Sequence, residues 1–233
     1  MKHLIYAVIV LFSLNITAQN NNDLIAHYEA YYKQMKTQGD VQGIINALTH
    51  LNVLKPSKER KDTLAYVYYK NNKFNQALNT IGIEDNANDS DMALEVKAVA
   101  LKTLGELELA LPFYLKIYNK TENPQVAYEI AEINLNLNKL TEAKNYVNLG
   151  LSKVTDKQGK TYFETQQPYT VPLKAGFYYL DALIIYNQNK ENNLGLAVNK
   201  LDEAIALAPA FNMANIAKNA LMQQKKESTT TKE

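Results

Sequence analysis

Cysteine is absent from this 233-residue chain. That excludes a disulfide framework, a thiolate metal site, a cysteine nucleophile and lipid attachment to an N-terminal cysteine. Histidine is nearly absent, and beyond His3 only His27 and His50 occur. No third ligand follows them at convincing spacing, so no metal site is expected. Glycine is scarce at 8 residues, and none builds a phosphate loop, a Gly-x-Gly-x-x-Gly turn or a Gly-x-Ser-x-Gly elbow. No catalytic residue and no cofactor emerge. Charge of either sign is not in excess, with 25 basic against 24 acidic residues, so there is no electrostatic footprint for nucleic acid or an anionic membrane. Long apolar runs are missing too. Only Leu4 to Leu14 stands out, and it is too short to span a bilayer. Lys2 precedes it and Asn15-Ile16-Thr17-Ala18 follows, which gives the three parts of a secretory signal peptide. Cleavage after Ala18 is expected, leaving an exported chain, periplasmic or secreted, with no membrane span.

What is present is a period. Ala77 lies 33 residues after Ile44 and 33 before Ala110, which lies 33 before Ala143. Three residues before each marker stands a large apolar residue, Val41, Phe74, Leu107 or Leu140. Twelve before stand Tyr32, Ala65, Ala98 and Ala131. Such recurrence predicts an array of helical hairpins in which small residues let paired helices cross closely. The hairpins read 22–36 with 41–54, 57–71 with 74–83, 91–104 with 107–119, and 125–137 with 140–151. Gly39-Asp40, Asn71-Asn72 and Gly105 mark turns, Ser90 is a candidate N-cap and Pro124 suits a first helical position. From Ala131 to its equivalent Ala182 is 51 residues, so about 18 are inserted before the fifth hairpin, 173–187 with 194–207. The insertion, 153–172, is rich in β-branched and aromatic residues around Gln166-Gln167-Pro168 and predicts a small β-hairpin. A helix from Phe211 to Gln223 caps the stack, and 224–233 is expected to be a disordered tail.

Val67-Tyr68-Tyr69-Lys70-Asn71-Asn72-Lys73-Phe74-Asn75-Gln76-Ala77-Leu78 and Leu201-Asp202-Glu203-Ala204-Ile205-Ala206-Leu207-Ala208-Pro209 carry the small-residue crossing and the proline-closed second helix of a known repeat. In these stretches the chain resembles the tetratricopeptide repeat family, as an exported bacterial member, over about residues 23–209 apart from the insertion. It departs from the family pattern at Ile44, Tyr32, Lys97 and Asp181. The resemblance implies an all-α fold: a right-handed superhelix of about five hairpins plus a C-terminal capping helix, with the β-hairpin inserted before the last repeat.

The resemblance also implies that the first helices line a concave groove. Residue by residue this brings Lys33, Tyr66, Tyr69, Glu95, Lys102, Tyr128, Glu132, Tyr179 and Tyr186 to the binding face. Tyrosine, a rigid aromatic body with a polar tip, suits recognition of an extended peptide or a glycan edge. The expected function is therefore a non-enzymatic exported scaffold that holds a protein or peptide partner, with homo-oligomerisation left open. The alternative is an accessory module for a small ligand or glycan, in which Tyr162, Phe163 and Tyr169 of the insertion form a lid or docking arm. A hydrolase using His27, Glu129 or Glu132 is the weakest reading. Paired carboxylates one helical turn apart are common on surface helices, and nothing in the sequence places them in a buried setting.

Overall fold

The computed structural model describes residues 21–230, with side chains through residue 227; the expected signal segment lies outside the described residues. The described residues form eleven helices and one two-stranded sheet. The helices are α1 (Asn21–Gln38), α2 (Val41–Leu54), α3 (Lys58–Lys70), α4 (Phe74–Ile81), α5 (Asp91–Thr103), α6 (Leu107–Thr121), α7 (Pro124–Asn136), α8 (Leu140–Lys153), α9 (Leu173–Gln188), α10 (Leu194–Leu207) and α11 (Asn212–Thr230). Strands β1 (Gly159–Tyr162) and β2 (Tyr169–Pro172) fall between α8 and α9. The chain divides into two compact units between Ala100 and Leu101. In the first unit α1 packs on α2 and α3 on α4; in the second, α7 packs on α8 and α9 on α10, and α11 packs on α10. The all-α helical-hairpin architecture and the inserted β-hairpin agree with the sequence reading.

The period is written into the turns. Gly39, Asn72, Gly105 and Asn138 stand 33 residues apart and have φ of 69°, 58°, 86° and 56°. This left-handed conformation suits glycine and asparagine and is costly for other residues. The same closing bond recurs after each: Asp40, Lys73, Glu106 and Lys139 donate their backbone N–H to the carbonyls of Met35, Tyr68, Leu101 and Asn134 at 2.8–3.0 Å. Each bond satisfies a helix-end carbonyl and turns the chain at once into the next helix. Side-chain caps start α2 and α5, where Asp40 Oδ1 accepts from Gly43 N at 2.9 Å and Ser90 Oγ from Ala93 N at 3.1 Å. Pro124 occupies the opening of α7, where its missing donor is no loss.

Ala65, Ala77, Ala98, Ala110, Ala131, Ala143, Ala182 and Ala197 are all fully buried, as helices at a close crossing require. The first repeat, which lacks that alanine at position 44, uses the preceding residue instead: a Cβ on Gly43 would lie 2.3 Å from Met35 Sδ. Tyr32 and Ile44, being larger, pack beside the crossing against Ile45, Leu48 and Leu64. The departures at Lys97 and Asp181 also have partners. Lys97, 2% exposed, donates to Glu84 O at 2.8 Å and to Asp89 Oδ2 at 2.7 Å. Asp181, equally buried, accepts from Lys144 Nζ.

One boundary differs from the sequence reading. Residues 224–230, expected to be disordered, continue α11 as helix. Gln, Lys and Glu are good helix formers, Gln223 Nε2 donates to Glu227 Oε1 one turn on at 3.1 Å, and Tyr186 Oη donates to Gln224 Oε1 at 2.7 Å.

Candidate functional site

The two units treat their first-helix faces differently. In the second unit, α7 carries Tyr128, Glu129 and Glu132, α9 carries Tyr179 and Tyr186, and the β-hairpin lies against α9. Alternation along β1 sends Lys160 and Tyr162 to one side and Thr161 to the other, where Thr161 Oγ1 meets Thr170 Oγ1 across the ladder at 2.9 Å. The register Thr161↔Thr170 and Tyr162↔Tyr169 is held at the base by Leu173 N donating to Gln158 O at 2.8 Å, so β2 runs directly into α9.

Tyr162 is the centre of this packing. It is 9% exposed; its hydroxyl shares a 2.7 Å hydrogen bond with that of Tyr128, and its ring lies 4.8 Å from Phe211 and 5.8 Å from Tyr169. Tyr179 lies 5.3 Å from the same Phe211. Gly176, inside α9, makes room: a Cβ there would stand 3.1 Å from the Tyr128 ring and 3.3 Å from Tyr162 Oη. Burial pushes the Tyr128 and Tyr162 hydroxyls well above the ordinary tyrosine range, so both are neutral donors and acceptors at any physiological pH. Tyr169 is pushed up to about 12, by burial first and then by its bond to the Glu164 carboxylate. Its oxygen also accepts from Met213 N at 3.4 Å, which ties the hairpin to the start of α11.

Beside the tyrosines lies an ion cluster. Lys102 Nζ bonds both Glu129 and Glu132. Lys160 Nζ donates to Glu129 Oε1 at 2.6 Å and sits 4.5 Å over the Tyr128 ring, a cation–π contact. Burial pulls the Lys102 ammonium down, but the two carboxylates outweigh it and the net shift is upward. Burial likewise works against the Glu129 carboxylate, yet Lys102 and Lys160 hold it below its ordinary value. A carboxyl held ionised this way is a poor general acid.

Tyr128 and Tyr179 therefore do not line an open surface as expected; both are buried, under Tyr162 and beside Phe211. Tyr186 is half-buried and bonded to α11, and Lys102 and Glu132 are bonded to each other. Of the insertion residues, Tyr162 and Tyr169 face the helices and Phe163 stands 73% exposed. Lys160 was not anticipated from the sequence. Its signal was the strand alternation that places it two residues before Tyr162 on the same face.

In the first unit the residues expected on the binding face are half-buried or exposed. Tyr66 and Tyr69 on α3 are half-buried, their rings edge to face at 5.7 Å, and Glu95 on α5 is exposed with Oε1 3.5 Å from Tyr69 Oη. Lys70 Nζ lies 5.9 and 5.7 Å from the two ring centroids. Burial, then the Glu95 carboxylate, raise the Tyr69 hydroxyl. Lys33 on α1 is exposed and borders a cavity of about 430 Å³ lined also by Glu29, Tyr32, Glu59 and Arg60. His27 and His50 approach each other through Tyr28, at ring distances of 5.3 and 4.3 Å, and no metal-holding group of acids and histidines occurs among the described residues. Nor is any helix among them long and apolar enough to cross a membrane.

No family model matches the chain, and no curated sequence does. Its fold does have solved counterparts. YrrB, a tetratricopeptide repeat protein with an unusual peptide-binding site, is similar with a TM-score of 0.63 at 16% identity, over 87% of this chain and 100% of that one. A tetratricopeptide repeat protein from Parabacteroides merdae has a TM-score of 0.63 at 13% identity, over 88% and 75%. MamA has 0.58 at 14%, over 79% and 92%. At such identities the likeness is one of fold.

Proposed function

We propose, from the premise that this chain has the tetratricopeptide repeat fold, that it is a non-enzymatic scaffold holding a protein or peptide partner on the first-helix face of its first unit. The observation that carries this reading is the unequal treatment of the two faces. In the second unit Tyr128 and Tyr179 are buried under Tyr162 and beside Phe211, whereas in the first unit Lys33 and Glu95 are exposed and Tyr66 and Tyr69, though in contact with Glu95 and Lys70, stay half-buried. The peptide-binding site of YrrB is one such use of the fold. The burial of Tyr162 weighs against the insertion acting as a ligand lid, because opening it would expose two hydrogen-bonded phenols and an aromatic cluster. Ionised Glu129, held by two lysines, weighs against acid catalysis.

Export completes the proposal: the mature chain begins at Gln19, and mass measurement of the N-terminus of the native protein tests it. For the binding face, the mature chain is used to capture partners from its native envelope extract. The Tyr66→Ala, Tyr69→Ala double variant is expected to lose the captured partner while keeping the wild-type circular dichroism spectrum. A partner retained by that variant, or lost equally with Phe163→Ala, defeats the assignment to the first unit.

A further inference from the structure

The second unit shows what a face of this kind holds when it is occupied. The occupant is an extended strand in which a lysine and an aromatic residue two places on point the same way. Lys160 is held jointly by a carboxylate at 2.6 Å and an aromatic face at 4.5 Å. Tyr162 then packs its ring among aromatics, with its hydroxyl bonded at 2.7 Å.

The first unit carries the same two kinds of group. The placement differs from the second unit: Glu95 stands one 33-residue step before Tyr128 and the counterpart of Glu129 is the buried Val96, so here the carboxylate comes from α5 and the rings from α3. Its carboxylate lies 3.5 Å from the Tyr69 hydroxyl, and Tyr69 and Tyr66 stand edge to face at 5.7 Å. These rings already draw an ammonium group: the Lys70 Nζ at 5.7–5.9 Å is at the outer limit of a cation–π contact. Lys70 is exposed, and a flexible ammonium group at that distance is readily displaced.

We propose that the partner of the first unit is an extended segment carrying a lysine or arginine two residues before an aromatic residue, the cation seated between Glu95 and the Tyr69 ring and the aromatic side chain against Tyr66. The proposal rests on the scaffold reading above and adds the chemistry of the partner. Strand alternation supplies the spacing, since residues i and i+2 of an extended chain share one face. Carboxylate and ring together favour a cation over a neutral side chain.

The test is selection of a displayed random-peptide library on the intact mature chain, with affinities of selected peptides then measured on wild type, Glu95→Gln and the Tyr66→Ala, Tyr69→Ala double variant, each checked for fold by circular dichroism. The expected result is enrichment of basic-x-aromatic peptides whose affinity falls about tenfold on Glu95→Gln, as for loss of one charged contact, and is lost with both tyrosines. Peptides that need Tyr66 and Tyr69 but lack the basic-x-aromatic spacing, or ignore Glu95→Gln, overturn this inference and leave the scaffold reading intact. Selected peptides indifferent to Tyr66 and Tyr69, or no enrichment at all, overturn both.

Discussion

At the scale of single residues, the pairing of Tyr162 with Tyr128 shows how burial and hydrogen bonding are linked. Two phenols out of water stabilise the fold only while each is the other's partner, because an unsatisfied buried hydroxyl costs about 1–3 kcal/mol. Tyr162→Phe is therefore expected to lower stability by about 1–3 kcal/mol, read from urea melts, with the helical spectrum unchanged. The raised hydroxyls also set a sign. Both phenols are neutral in folded and unfolded chains below the ordinary tyrosine value of 10, so their contribution is constant there. Above it the unfolded chain ionises first, and stability falls as pH rises. In an ultraviolet difference titration, Tyr128 and Tyr162 should ionise only together with loss of helix. Asp181 offers a contrasting case. It is buried with Lys144 as partner, while the Lys144 side chain is 35% exposed. Replacing a buried charge with an apolar residue removes its desolvation cost, and the freed lysine can hydrate. Asp181→Leu should leave the thermal midpoint unchanged or raise it, and a large fall would show that the pair contributes net stability.

At the scale of elements, the repeat is defined as much by its turns as by its crossings. Gly105 has φ of 86° and nothing within 4 Å of where a Cβ would stand, so Gly105→Ala adds no clash and tests backbone strain alone. A non-glycine residue in the left-handed region costs about 1–2 kcal/mol, which is the loss expected in a urea melt. Asn72 and Asn138 hold the same conformation in their own repeats, consistent with asparagine's tolerance for it. Helix and turn positions were legible because each repeat states its own geometry locally: small residue, large residue, left-handed turn. The extension of α11 beyond Gln223 was not legible, because a polar run at a chain end has the same composition whether it frays or docks. Its contact with Tyr186 comes from a helix 38 residues earlier.

At the scale of the molecule, the ion cluster on the second unit's face links three elements through Lys102, Glu129 and Lys160. Glu129 is held below its ordinary value of 4.5, so it stabilises the fold above that pH, and the contribution is lost as pH falls through the lowered value. Glu129→Gln is expected to melt earlier than wild type at neutral pH and to lose less on acidification, so the two melting temperatures converge in acid. Parallel curves would assign the acid transition to other carboxylates. The sequence alone determined the all-α repeat, its period, its alanine crossings and the place of the inserted strands, because these depend on spacing along the chain and on side-chain bulk. Only the tertiary structure decided which tyrosines are accessible. Tyr66 and Tyr128 are both first-helix tyrosines, and what the period does not show is that Tyr128 lies under a strand from elsewhere in the chain. Burial of a repeating position depends on what packs over it, and periodicity carries no record of that.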